Sequence, residues 1–319
     1  MIKSTLKLVA AIVLFASCNQ YEKAPSGMPY KITHGSGNEK LLQQGQYVKL
    51  NVEYKLKSKD TTLSSTYGMI PVYFPIDTAR LGKYTFTEVI MKCRKGDKIE
   101  FSLSIDTLVN MKALQLNEVF KTKDIILGKA EIVDVFTDVK LVDEDYKKEQ
   151  DKEKAREISA IAAYLAKNKI TAVQSPEGVF VVTKEAGDAA NRIDSTKIAS
   201  VFYKGYTLKG DVFDSNMNPN DPTAKPYEVK VGTGAVIPGW DIGLKYFGKG
   251  GKGVLYIPAM LAYGPQANGV IKAYDNLAFD IEIKDVTAAP KASTVAPPPP
   301  PIDMLPSKVV LLPLVPATV

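Results

Sequence analysis

The residues that could act on a ligand gather in the second half of the chain, and most of them are aromatic. Val236-Ile-Pro-Gly-Trp240 delivers the only tryptophan of 319 residues behind a Pro-Gly turn, and Ala262-Tyr263-Gly264 follows. Tyr203, the Phe213-Asp214 pair, Tyr227, Val236, Ile237, Ile271 and Phe279 complete the set. Residues of these types build a concave, mostly apolar site in which a few placed polar groups fix orientation. The polar groups on offer are the Asp214 carboxylate and the Tyr203 and Tyr263 hydroxyls. Taken singly, each aromatic is core more often than site; a polar tip in an apolar wall needs a partner or a ligand. Other chemistries are poorly supplied. The single histidine, His34, sits in a Thr-His-Gly-Ser-Gly turn read as solvated, which leaves little for imidazole catalysis or a zinc site. Gly243 to Gly250 reads G-x-x-x-x-G-K-G, but glycine stands where a phosphate loop carries its magnesium-binding Ser or Thr. No metal and no cofactor is expected.

The elements that must hold these residues are legible from their periods. Leu277, Phe279, Ile281 and Ile283 alternate with Ala278, Asp280, Glu282 and Lys284, which predicts a strand with one face in the core and the other wet. Val254 to Ile257, stopped by Pro258, and Ile198 to Tyr206 read as further strands. Trp240, Leu244 and Phe247 recur at helical spacing, with Asp241 in the first turn near the positive end of the helix dipole. The glycines from Gly248 to Gly253 end that helix. A curved antiparallel sheet on one short helix, an α+β fold, fits this inventory.

In order and type, these residues resemble the FK506-binding protein (FKBP) family of peptidyl-prolyl cis-trans isomerases, over roughly residues 176 to 287. The resemblance implies that Trp240 floors a cavity under a proline ring and that Tyr263 donates its hydroxyl to a substrate carbonyl. The Ile237 backbone N–H would bind a neighbouring carbonyl, Asp214 would lie beside the twisting amide, and Tyr203 would orient that carboxylate. Such a reaction needs no acid, base or nucleophile. Its barrier is amide resonance, about 18–20 kcal/mol, and the twisted amide has less charge separation than the planar one. A dry apolar cavity therefore favours it, and each ~1.4 kcal/mol of differential stabilisation is worth about tenfold in rate. Proline-containing polypeptides are the implied partners, with the macrolides FK506 and rapamycin as implied ligands. Departures touch the rim: Val229 stands where a second aromatic is common, Ala267 and Lys272-Ala273 differ from the usual loop, and residues 216–225 hold no arginine to pair with Asp214.

The first half repeats the second imperfectly. Val52-Glu-Tyr54-Lys55 aligns with Val201-Phe-Tyr203-Lys204, Phe86 through Lys98 with Trp240 through Lys252, and Ile125 to Val135 with the closing strand. Residues 28–140 are thus expected to form a second domain of the same fold, joined by a helix over 141–172 to the isomerase domain at 173–287. In the first copy Phe86 takes the floor position, Val109 falls at Tyr263, and Leu63-Ser64 replaces Phe213-Asp214. That copy is expected to be impaired or dead, with a surviving peptide groove or a spacer role. In the joining helix, Glu144 to Lys154 is a mixed-charge run, and Ile158, Ile161, Ala162 and Leu165 form a stripe suited to docking on the second domain.

Lys3 and Lys7 precede an apolar run, Leu8 to Ala16, too short to cross a bilayer but suited to a signal peptide at 1–17. Ala16-Ser17-Cys18 resembles a bacterial lipobox, so Cys18 is expected to carry lipid and residues 18–27 to be a tether. Cys93, the other cysteine, then has no partner and is expected to pack where Phe247 packs in the second copy. Residues 288–319, with five prolines at 297–301, read as an extended, disordered tail. A net charge of +6 without a basic cluster implies no nucleic-acid partner. The expected function is folding assistance to exported proteins in the bacterial envelope, on a membrane-anchored chain. The alternatives are a non-catalytic holdase gripping chains between two grooves, and an assembly subunit of an envelope machine such as a gliding apparatus.

Overall fold

The computed structural model describes residues 21–217 and 223–289. The leader with Cys18, and the tail from residue 290, lie outside the described residues. Two compact units divide at Val139, and each carries a seven-stranded antiparallel sheet. The first holds β1 (Glu22–Lys23), β2 (Pro29–Thr33), β3 (Tyr47–Leu56), β4 (Thr61–Ser65), β5 (Val72–Pro75), β6 (Lys98–Ser104) and β7 (Ile125–Phe136), with a short helix α1 (Ile105–Asn110) after β6. The second opens with α2 (Val139–Lys167) and holds β8 (Val173–Gln174), β9 (Phe180–Glu185), β10 (Lys197–Thr207), β11 (Val212–Ser215), β12 (Tyr227–Lys230), α3 (Pro238–Gly243), β13 (Lys252–Ile257) and β14 (Leu277–Ala288). The first sheet runs β1-β2-β6-β7-β3-β4 with β5 on β3, and the second β8-β9-β13-β14-β10-β11 with β12 on β10. Raising each strand number of the first sheet by seven reproduces the second. The chain is α+β and contains two FKBP-like domains. Part of the expected tether is folded, because Glu22 and Lys23 pair with Tyr30 and Pro29.

Register corrects the repeat. In the first sheet β3 has irregularities after Lys49 and after Tyr54, and in the second β10 has them after Ser200 and after Gly205. The five-residue spacing matches, so Tyr54 corresponds to Gly205 and Val52 to Tyr203. Side-chain hydrogen bonds agree. Thr66 Oγ1 accepts from the Val52 N–H at 2.9 Å, and Asn216 Oδ1 accepts from the Tyr203 N–H at 2.6 Å. The alignment of Tyr54 with Tyr203 is therefore two residues out, a slip that strand periodicity cannot reveal because it preserves which face each residue takes. The pairing of Leu63-Ser64 with Phe213-Asp214 holds, since Ser64 faces Tyr54 as Asp214 faces Gly205.

Packing in the second unit has two levels. Trp240 and Leu244, from α3 and the 3-10 turn after it, join Phe247 and the inward residues of β13 and β14 in one core. Pro238 suits the first helical position because no helical N–H is needed there. On the opposite face Ile161 and Leu165 of α2 cover Phe180, Val254, Tyr256 and Ala278. Ala278, expected on a wet face, is fully buried under that helix. Burying Ile161 and Leu165 contributes about 1.5–3 kcal/mol each as an upper figure. The buried stripe of α2 is Glu153, Glu157, Ile161 and Leu165, at successive i+4 steps, whereas Ala162 is exposed.

In the first unit Cys93 is fully buried at the end of the 3-10 helix Phe86–Lys92, and burial pushes its thiol up to about 12. It packs as expected. His34 does more than meet solvent: its Nδ1 lies 2.9 Å from Oδ2 of Asp97, which has no exposed surface. Burial opposes the charge on Asp97, but the N–H groups of Gly35 and Arg94 and the His34 ring hold its carboxyl below the ordinary value.

Candidate active site

Strand ends and two loops of the second unit converge on a cleft of about 430 Å³. Tyr203 comes from β10, Phe213 and Asp214 from β11, Tyr227 from β12, and Phe279 from β14; Val236, Ile237 and Trp240 enter at the start of α3, and Tyr263 after β13. Ala235, which the sequence pattern missed, also lines it. Ile271 does not: it is 3% exposed within the core. Its apolar character suited both places, and only the backbone path after Gly269 separates them. Val229 is likewise in the core.

The floor is an edge-to-face aromatic stack. Trp240 meets Tyr203 at 5.0 Å between centroids and Phe279 at 5.4 Å, and Phe279 meets Phe213 at 5.6 Å, all near perpendicular. Such pairs are worth about 0.5–1.5 kcal/mol each beyond area burial, so the wall is stiff. Gly205 makes room for it, because a Cβ there would stand 2.6 Å from the Phe213 ring and 2.8 Å from Phe279. The buried Trp240 Nε1 has no hydrogen-bond partner among the described residues.

Polar groups are few and held. The Tyr203 hydroxyl donates to Asp214 Oδ2 at 2.6 Å. Burial, then the hydrogen bond and charge of Asp214, push the Tyr203 phenol well above its ordinary value. Burial also raises Tyr263, and the Asp214 charge adds to it. Both phenols are therefore neutral donors at physiological pH. Asn216, unremarkable in the sequence, holds Tyr203 from behind: its side chain accepts from the Tyr203 N–H and its own N–H donates to the Tyr203 carbonyl. Tyr263 is set by a loop in which the Gly264 N–H donates to Ala259 O at 2.8 Å and the Tyr274 N–H to Gly264 O at 2.7 Å. The Ile237 N–H makes no hydrogen bond among the described residues. The glycine-rich run offers nothing comparable, since the Gly250 and Gly251 N–H groups donate to Ile283 O and Gly248 O.

The corresponding interior of the first unit is filled. Tyr54, at the place of Gly205, is 4% exposed and meets Phe101 edge-on at 5.8 Å. Gly128 faces Phe101 as Phe279 faces Leu255. A Cβ on Gly128 would stand 2.1 Å from the Phe101 ring, so that ring occupies the room that Phe279 takes in the second unit. Phe86, at the place of Trp240, packs on the same ring at 5.6 Å.

Comparison with known proteins agrees with this geometry. Residues 190–284 match the family model for FKBP-type peptidyl-prolyl cis-trans isomerases. The chain is 39% identical over 113 residues to the FKBP-type isomerase FkpA of Buchnera aphidicola, covering 35% of this chain and 44% of that protein. It is 38% identical over 118 residues to FkpA of Escherichia coli K12, covering 37% and 41%. The chain thus spans less than half the length of these curated relatives. A crystal structure of FkpA from Escherichia coli superposes with a TM-score of 0.36 at 30% identity, covering 47% of this chain and 68% of that one. Through its second unit, the chain belongs to the FKBP-type peptidyl-prolyl cis-trans isomerase family.

Proposed function

We propose that the cleft of the second unit catalyses cis-trans exchange of X-Pro bonds in polypeptides. The observation that carries this reading is the stiff aromatic floor around Trp240, bordered by only two polar devices, the Tyr203–Asp214 pair and the Tyr263 hydroxyl. A proline ring would lie on Trp240, against Phe213, Tyr227, Val236 and Phe279. Tyr263 would donate to the carbonyl beside the twisting bond, and the Ile237 N–H to a neighbouring one. Asp214, held by Tyr203, would sit over the amide as it loses its planar dipole. FK506 and rapamycin would occupy the same cleft. The work of catalysis would be differential: the apolar walls suit the twisted amide better than the planar one.

The test is exchange of a proline tetrapeptide by the whole protein, alongside Tyr263→Phe and Asp214→Ala. Each loss of a donor or carboxylate is expected to lower kcat/KM by about 5- to 30-fold, the worth of a hydrogen bond of about 1–2 kcal/mol. A wild-type rate equal to the uncatalysed one would refute the enzyme. A holdase gripping chains between two grooves needs an open first groove, and Tyr54 and Phe101 occupy that room. The leader, with Ala16-Ser17-Cys18, supports a lipid-anchored place in the bacterial envelope and clients among exported proteins.

A further inference from the structure

We propose that Glu157, on the helix that leads into the second unit, is a positioning residue for Tyr263. Glu157 is 2% exposed and belongs to a run of charges whose other members mostly face solvent. Its Oε2 accepts from the Met260 N–H at 3.0 Å, within the 3-10 turn Ala259–Leu261 that directly precedes the Tyr263 loop. Its backbone carbonyl accepts from Asn276 Nδ2 at 3.4 Å, and Asn276 Oδ1 accepts from the Ala259 N–H at 3.0 Å. Two consecutive amides of the turn are thus tied to one residue of α2, one of them through Asn276. The same turn fixes the tyrosine from the other side through the Gly264 bond to Ala259 O.

Packing alone does not account for this carboxylate. Ile161 and Leu165 already dock the helix on the sheet, and an apolar side chain at 157 would continue their stripe. Instead a carboxyl is buried, with Oε2 on the Met260 N–H and Oε1 without a hydrogen-bond partner among the described residues, a cost in free energy that an apolar side chain would not carry. The groups around it are Glu153 and Arg156 of its own helix, paired with each other, and Tyr274 of the loop that closes on Gly264. The arrangement makes α2 part of the catalytic unit. It holds the turn so that the phenol meets the cleft at one depth.

The inference rests on the catalytic role of Tyr263 proposed above, and a double-mutant cycle with hydrogen exchange separates the two. Glu157→Ala, which leaves the Met260 N–H without an acceptor, is expected to lower kcat/KM about 5- to 20-fold, mostly in kcat. Glu157→Gln, which keeps an acceptor oxygen, is expected to restore at least half of the rate. In a Tyr263→Phe background Glu157→Ala should cost less than twofold more, because the group it positions is gone. Amide exchange of residues 259–264 should quicken in Glu157→Ala, a readout that does not need turnover. Full additivity of the two substitutions, or Ala and Gln variants alike in rate, overturns the positioning role while leaving the isomerase standing. Should the wild type not turn over, unchanged exchange at 259–264 in Glu157→Ala overturns it independently.

Discussion

Gly205→Ala is the smallest change that should move the second unit toward the filled interior of the first. The added Cβ would lie 2.6 Å from Phe213 and 2.8 Å from Phe279, both at ring atoms. Carbon atoms rest at about 3.5–4.0 Å, so at least one ring must shift by several tenths of an ångström. Phe279 is 4% exposed and gripped between Trp240 and Phe213. Phe213 stands on β11, a four-residue strand at the edge of the sheet, and is only half-buried. The edge ring should yield and swing across the cleft. Overpacking of this kind costs about 1–3 kcal/mol, and for a unit of this size each kcal/mol lowers Tm by about 2–4 °C. Losing apolar contact worth ~1.4 kcal/mol weakens a bound proline peptide about tenfold. Because Trp240 is the only tryptophan and floors the cleft, its fluorescence reads binding directly. The expected result is a Tm lowered by about 2–12 °C with peptide affinity reduced about tenfold. A variant that binds as tightly as the parent, whatever its Tm, refutes the idea that residue 205 decides whether this cavity is open.

Protonation of Glu157 should also register in stability. Burial, reinforced by Glu153, pushes its carboxyl from 4.5 up to about 7. A folded-state value raised above the unfolded one means that the native state binds the proton more tightly, so stability falls as pH rises from about 4.5 to about 7. Urea midpoints across that window should show this slope in the wild type and lose most of it in Glu157→Gln; identical slopes would contradict the assignment. For the anchor, Cys18→Ala should move the protein from the membrane fraction to the soluble one and abolish incorporation of labelled palmitate, whereas membrane recovery equal to wild type would remove the lipid reading.

How far the sequence could be read depended on which physical signal each residue leaves. The cleft left a strong one, since Trp240, Tyr263 and the Phe213-Asp214 pair are unusual as a set. Alternation placed Phe279 on the inner face, which it takes. Ile271 left an ambiguous one, because an apolar residue in a loop satisfies core and cavity alike. Glu153 and Glu157 left a misleading one. In a run such as Glu149 to Arg156 a solvated face is the ordinary expectation. Only their phase, four and eight residues before Ile161, marks both as inward. The same phase turns Ile161 and Leu165 onto the sheet, so the buried carboxylates and the burial of Ala278 beneath the helix have one cause. The His34–Asp97 pair could not be seen at all, because 63 residues separate its members.

The repeat shows most sharply where pattern stops and structure must decide. Tyr54 and Tyr203 are both tyrosines in β-rich runs followed by lysine, so sequence pattern pairs them. A two-residue slip conserves the inward face, so hydropathy offers no objection. What fixes the register is the irregularity after Lys49 and after Ser200, where the partner strands β7 and β14 each carry one extra residue, Val133 and Lys284, and the ladder restarts. Once Tyr54 is set against Gly205, the differences between the units become one coordinated exchange. A large ring moves to position 54, the ring of Phe101 covers Gly128, and Leu63 replaces Phe213 at the edge. In the first unit the Phe101 ring lies over Gly128 and fills this room, whereas in the second the space beside Gly205 and Phe279 stays open as the cleft.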